Sequence, residues 1–214
     1  MTDQSAVGRV ITSEACIAEG ADWLAAREPR FAAALALTGP LPLRLRKDGF
    51  TALLDAIVSQ QISVAAADAI WRRLKAAGLI GPRNVIRAEE EQLRACGLSR
   101  PKIRYAKALA AARINYAALR RAPTESVIET LIEVPGIGRW TAEIYAMFSL
   151  GRADVFAAGD LALQEAAKLL FGLPERPTEA NIRQMAAAWS PWRGVAARLL
   201  WSYYRQVKMR EGIR

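Results

Sequence analysis

Catalysis in this chain has few residue types to draw on. There is no histidine, and the only cysteines are Cys16 and Cys96. The commonest metal ligand and usual general base is therefore missing, and no four-thiolate site can form. Acid–base or nucleophilic work falls to carboxylates, lysine, hydroxyls, tyrosine or a thiol. One carboxylate stands out by its position. Asp160 ends the segment Asp154-Val155-Phe156-Ala157-Ala158-Gly159-Asp160 and directly precedes the helical run Leu161-Ala162-Leu163-Gln164. Its ordinary role there is a helix cap. Its chemical role would be to stabilise developing positive charge and to orient or deprotonate water. The two roles are compatible. Asp154 is the weaker candidate and reads as a loop or capping residue.

A second segment could bind an anion. Leu131-Ile132-Glu133-Val134 ends an amphipathic helix, Pro135-Gly136-Ile137-Gly138 turns tightly, and a new helix starts near Arg139-Trp140-Thr141-Ala142. The glycines leave backbone amides uncovered beside a helix N-terminus, where the amides and the helix dipole attract phosphate. A plain helical connection, with glycines for steric reasons, is the simpler alternative.

Helices must position these groups. Apolar pairs recur at helical spacing, as in Leu53/Leu54 with Ile57/Val58, and alanine is abundant. The pattern predicts helices near 13–26, 29–37, 50–60, 63–77, 88–95, 101–120, 125–133, 139–149, 161–171, 179–188 and 193–209. Gly/Pro breakers separate them. Thr124 and Thr178 read as N-caps, and Leu41-Pro42-Leu43-Arg44 reads as a short extended linker. No period-2 strand is evident.

The 214 residues suffice for one large domain or two lobes. No run approaches the ~20 apolar residues of a membrane span, and the N-terminus lacks the pattern of a secretory signal. A cytoplasmic, reducing location and a monomer follow by default. The net charge is +9, which favours a polyanionic partner. Between Glu91 and Glu125 every charged residue is basic: Arg94, Arg100, Lys102, Arg104, Lys107, Arg113, Arg120 and Arg121. That run is either a solvated face or a surface for phosphates.

Val134-Pro135-Gly136-Ile137-Gly138-Arg139-Trp140-Thr141-Ala142 closely resembles the hairpin of the helix-hairpin-helix DNA glycosylase superfamily, and Asp160 follows at the superfamily's spacing. Trp189-Ser190-Pro191-Trp192-Arg193, then Leu199-Leu200-Trp201, resembles its 3-methyladenine DNA glycosylase II branch. So does Ser59-Gln60-Gln61-Ile62-Ser63. The resemblance spans roughly residues 45–208.

It implies an all-α fold of two closely packed lobes with the active-site cleft between them. Residues 1–44 would form a helical segment packed on a glycosylase domain at 45–214, in a compact form without an added β-rich domain. It implies a base excision repair enzyme that acts on double-stranded DNA and hydrolyses the N-glycosidic bond of alkylated bases, in the manner of 3-methyladenine and 7-methylguanine. In a bacterium the protein would associate with the nucleoid.

Asp160 would be catalytic. Trp140, Trp201 and Tyr145 would line the base pocket, although Ile144 stands where well-known relatives carry tyrosine. Val134, Gly136, Ile137, Gly138, Arg139 and Thr141 would form the DNA-binding hairpin. Gln60 and Gln61 would fill the gap left by the flipped base, with Gln61 at the wedge position. Bifunctional members carry a nucleophilic lysine where this chain has Trp140, so the resemblance implies a monofunctional enzyme. No cofactor or catalytic metal is implied. A structural Na+ or K+ could sit on the carbonyls of Val134, Gly136 and Ile137. The rival readings are another base specificity and a helix-hairpin-helix binding protein without catalysis.

Overall fold

The computed structural model describes residues 7–210, with side chains to Met209. In chain order the helices are α1 (Glu14–Ala25), α2 (Pro29–Thr38), α3 (Phe50–Ser59), α4 (Val64–Ala76), α5 (Pro82–Arg87), α6 (Glu90–Ala95) and α7 (Arg100–Ala111). They continue as α8 (Tyr116–Leu119), α9 (Thr124–Ile132), α10 (Arg139–Phe148), α11 (Leu161–Phe171), α12 (Glu179–Ala186), a 3-10 turn at Ala187–Trp189 and α13 (Arg193–Arg210). The all-α expectation holds. Among the described residues the extended pairing is confined to an isolated antiparallel bridge between Val10 and Arg152. No described helix is long and apolar enough to cross a membrane.

Three local expectations are corrected. The helix expected over 101–120 is broken after Ala111. Arg113 turns left-handed at φ 48, and the Asn115 side chain accepts from the Ala118 amide to start α8. Asparagine competes with a continuing helix in this way. The short α5 was not anticipated; it begins at Pro82, whose fixed φ suits a first helical turn. Thr124 is the first helical residue and not the cap, which is Pro123, whereas Thr178 does cap by accepting from the Asn181 amide. The 41–44 segment carries no regular structure, and Arg44 within it is left-handed at φ 51.

The chain folds into two compact units, one from residues 1–45 and 146–214 as far as they are described, the other from residues 46–145. In the first, α13 packs against α1, α2 and α11. Phe31, Phe156, Phe171 and Trp189 form its aromatic core, with ring centroids 5.3–5.9 Å apart. Burying each such side chain contributes about 2–3 kcal/mol. The Ile11 amide donates to the Gly151 carbonyl at 2.7 Å, tying the beginning of the chain to the segment that leads to Asp160. Gly20 of α1 leaves room for Trp192: a β-carbon there would lie 2.7 Å from the indole.

In the second unit α7 is the central helix, packing against α3, α5 and α6. Its buried Ile103, Ala106 and Leu109 meet a core that includes Leu53, Leu54, Ile57 and Val58 of α3. These are the helical-period residues expected to face inward.

Candidate active site

The hairpin lies within the 46–145 unit. The Val134 amide donates to the Leu131 carbonyl and the Ile137 amide to the Val134 carbonyl, which closes the turn between α9 and α10. Gly136 sits at φ 92, and a β-carbon on it would lie 2.3 Å from Cγ of Tyr105. Only glycine satisfies both the backbone angle and that close approach. A β-carbon on Gly138 would meet nothing within 4 Å, so the backbone there is open. The first amides of α10 follow, and a helix cannot satisfy these internally.

The residues expected to bind DNA through this hairpin divide by role. Val134 and Ile137 bury their side chains and anchor the turn. Thr141 is also buried, so its side chain belongs to the interior. The Arg139 guanidinium reaches Oε1 of Glu125 at 2.7 Å and Oε1 of Glu143 at 3.2 Å. Its charge therefore joins α9 to α10 and is not held out as an open cation. What the turn presents outward is backbone at Gly136 and Gly138, with the Trp140 side chain, 44% exposed, just beyond.

Tyr145, expected to line the base pocket, is only 4% exposed, and its hydroxyl accepts from the Gly49 amide at 2.9 Å. Burial pushes its pKa up to about 12. Beside it, Arg120 makes a two-pronged contact with Asp48 at 2.6 and 3.0 Å. Tyr145 thus supports α10 from within its unit; its phenol is not a free wall.

The loop after α3 also belongs to this unit. The Gln60 amide nitrogen donates to the Gly136 carbonyl at 2.9 Å. Gln61 follows at φ 56 with its side chain exposed. Of the carbonyls expected to hold a cation, Gly136's accepts from this amide and keeps a second lone pair. Those of Val134 and Ile137 are hard oxygen donors of the type Na+ or K+ takes, and Val134's already accepts from the Ile137 amide.

Asp160 lies in the other unit, at the N-cap of α11. Its Oδ1 accepts from the Leu163 amide at 3.1 Å and from the Trp201 indole Nε1 at 3.1 Å. The structure thus brings together two residues that the sequence separates by most of α11, α12 and α13. The carboxylate is half-buried, and hydrogen bonds hold its loop. The Asp160 amide donates to the Ala157 carbonyl, and the Gln164 side chain donates to the Ala158 carbonyl.

At the other end of that loop, Asp154 accepts from Arg193 at 2.6 and 2.9 Å and from the Ser190 hydroxyl at 2.8 Å. Burial alone would raise the Asp154 carboxyl. The hydrogen bonds from Arg193 and Ser190 and the Arg193 charge together outweigh it and hold the group below its ordinary value. Asp154 is a loop anchor, as its position suggested.

Behind Trp201 lie groups that the sequence pattern does not single out. The Phe148 ring is 5.9 Å from the Trp201 ring, and the Arg198 guanidinium stands 4.7 Å from the Phe148 centroid. Arg198 is buried and donates to the carbonyls of Gly194 at 2.7 Å and Leu43 at 3.4 Å. Burial lowers its pKa to about 10. The visible signal was an arginine inside the apolar run Ala196-Ala197-Arg198-Leu199-Leu200. Nothing in the sequence marked the packing of Tyr105 on Gly136.

The sequence profile described as "HhH-GPD superfamily base excision DNA repair protein" matches residues 54–192. DNA-3-methyladenine glycosylase 1 of Schizosaccharomyces pombe is 35% identical over 165 residues, covering 73% of this chain and 72% of that protein. Among solved structures, an S. pombe 3-methyladenine DNA glycosylase in complex with abasic DNA superposes with a TM-score of 0.73 at 31% identity, covering 86% of this chain and 95% of that one. A DNA-3-methyladenine glycosidase from Bacillus halodurans gives a TM-score of 0.78 at 34% identity, covering 86% and 88%.

Proposed function

Because the chain belongs to the HhH-GPD superfamily of base excision DNA repair proteins, we propose that it is a monofunctional DNA glycosylase that hydrolyses the N-glycosidic bond of alkylated bases in double-stranded DNA, with Asp160 as the catalytic carboxylate. The observation that carries the assignment is the carboxylate itself, fixed at the head of α11 by one backbone amide and one indole N–H. The Leu163 amide and the Trp201 indole N–H, both neutral donors, fix the orientation of the carboxylate. It is then suited to face positive charge on a deoxyribose.

The chemistry follows. The bond from C1′ to the base nitrogen breaks, and its electron pair leaves with the base. A cationic base such as 3-methyladenine departs neutral and needs no proton. The Asp160 carboxylate stabilises the oxocarbenium character left on the sugar. A water oxygen bonds to C1′, and its proton passes to the carboxylate or to solvent. An indole cannot form a Schiff base, so with Trp140 in place of the nucleophilic lysine no covalent intermediate forms there and the strand is not cut. Such chemistry requires the base to leave the stack. The aromatic face assigned to it beside Asp160 is Trp201, whose ring electrons attract a cationic base. Gln61 is assigned to the gap left in the duplex.

The hairpin is assigned to a DNA phosphate through the backbone at Gly136 and Gly138 and the first amides of α10. Val134, Gly136 and Ile137 would hold a Na+ or K+ through their carbonyls, and when bound it would supply charge that offsets the phosphate.

The test is base release from methylated duplex DNA. The native protein should free 3-methyladenine and 7-methylguanine without nicking the strand. Asp160→Asn should abolish release and leave DNA affinity equal or higher. DNA binding with no release by the native protein would identify a non-catalytic binding module. Release of other bases only would identify a different specificity, and nicking without alkali would overturn the monofunctional assignment.

A further inference from the structure

We propose that Gln60 is a positioning residue that couples the loop bearing Gln61 to the phosphate-binding hairpin, so that the Gln61 side chain is presented to the duplex only while the hairpin keeps its turn. The proposal rests on the assignment of Gln61 to the gap in the duplex.

The loop is pinned on both sides and strained between. On its near side the Gln60 amide donates to the Ile57 carbonyl at 3.4 Å, and the buried Lys102 ammonium donates to the Val58 carbonyl at 2.7 Å. A cation on the last carbonyls of a helix is well placed against the helix dipole. On its far side Ser63 caps α4 by accepting from the Ala66 amide at 3.3 Å. What remains is Gln61 and Ile62, both exposed. Gln61 holds φ 56, which is unfavourable for a residue with a side chain. Such a conformation persists only where the surroundings over-determine it.

The Gln60 side chain supplies the link that over-determines it. Its amide nitrogen donates across 76 residues to the Gly136 carbonyl. That carbonyl and the Ile137 amide belong to one planar peptide unit. The Ile137 amide is already bound to the Val134 carbonyl. The peptide at the tip of the hairpin is therefore clamped at both ends, and one clamp is a side chain of the loop. Helix α7 closes the circuit. Lys102 grips the loop's entry and Tyr105, one turn along, packs on Gly136. Hairpin and loop are thus held by one helix and joined by one hydrogen bond.

The experiment compares Gln60→Leu, Gln60→Glu, Gln60→Lys and Gln61→Ala with the native protein. 2-Aminopurine placed beside a stable abasic-site analogue reports extrusion by fluorescence, and base release is measured on lesions in paired and mispaired duplexes. Gln60→Leu and Gln60→Glu lose the donor. One neutral hydrogen bond corresponds to about a three- to tenfold effect, and the extrusion signal and kcat on the paired duplex should fall by that factor. KM, affinity for undamaged DNA and the melting temperature should hardly move. The deficit should shrink with a mispaired lesion, which is easier to extrude. Gln60→Lys, which restores a donor of similar reach, should recover most of the signal.

If Gln61→Ala is impaired while Gln60→Leu and Gln60→Glu both match the native protein, the coupling is overturned and the wedge assignment stands. If Gln61→Ala behaves as native, the wedge assignment itself fails. Equal losses in melting temperature and undamaged-DNA affinity would show Gln60 to be merely structural and would also overturn the proposal.

Discussion

A carboxylate that caps a helix and a carboxylate that performs chemistry look alike in sequence; Asp160 caps α11 and is proposed to do both. The two roles separate by substitution. Asparagine keeps an oxygen for the Leu163 amide but loses the charge and one acceptor oxygen, so Asp160→Asn should fold with near-native stability while base release falls on the order of 10²–10⁴-fold. Asp160→Ala should in addition lose about 1 kcal/mol of stability through the missing cap. Trp201→Phe keeps a ring beside Phe148 but removes the donor to Asp160. Single-turnover release should drop roughly tenfold, the scale of one hydrogen bond to a charged group. Asp154 makes a different prediction. Its carboxyl is held below the ordinary value by Arg193 and Ser190 against the opposing effect of burial. A depressed folded-state pKa means that its stabilising contribution is complete above the unfolded value, about 4. It is lost as pH falls through the folded value. Denaturant titrations between pH 7 and pH 2 should therefore show a steeper acid loss for the native protein than for Asp154→Asn, which starts less stable.

Glycines at the hairpin differ in what they tolerate, and that decides how the element fails. Gly136→Ala would need an unfavourable backbone angle and would drive a methyl into Tyr105, at a cost of about 1–3 kcal/mol. Chemical denaturation should detect that loss, together with weakened duplex binding. Gly138→Ala meets no neighbour, so stability should hold, and any fall in DNA affinity would report on backbone access alone. At this scale the sequence was largely legible. Helical periodicity, Gly/Pro breaks and the Thr178 cap marked most boundaries. The break after Ala111 was not legible, because alanines flank it and the decisive event is the Asn115 side chain turning to the Ala118 amide. The partners of Asp160 and Gly136 were hidden for another reason. Trp201 and Tyr105 reach them through tertiary packing, which no local pattern encodes. The ion pairs of Arg139 with Glu125 and Glu143 were not singled out either, because no local pattern marks which carboxylates a guanidinium will meet.

Over the whole molecule the charge excess is the leading physical fact. Its one-signed run is not uniform: Lys102 and Lys107 turn to backbone carbonyls and Arg120 pairs with Asp48, while Arg94, Arg100, Arg104, Arg113 and Arg121 remain exposed. Affinity for undamaged duplex should fall steeply with salt, with a log–log slope of about −4 to −5 if four or five phosphates are neutralised. Replacing both Arg100 and Arg104 by alanine should weaken binding to all sequences alike and flatten that slope by about 1 for each phosphate left unneutralised. Titrations between roughly 50 and 200 mM salt would test it, and an unchanged slope would remove α7 from the DNA surface. In space the N-terminal helices pack with the last ones, and residues 46–145 form a continuous insert.

That interrupted unit has a consequence for synthesis. Chains fold as they emerge, N-terminal parts first. The 46–145 unit needs only its own contiguous sequence, whereas α1 and α2 must wait for α13, the last described helix, before their core can close. Pairings of such long sequence separation form slowly. Trp201, which secures Asp160, arrives with that same helix. A growing chain therefore carries an assembled hairpin before Asp160 has gained its Trp201 partner.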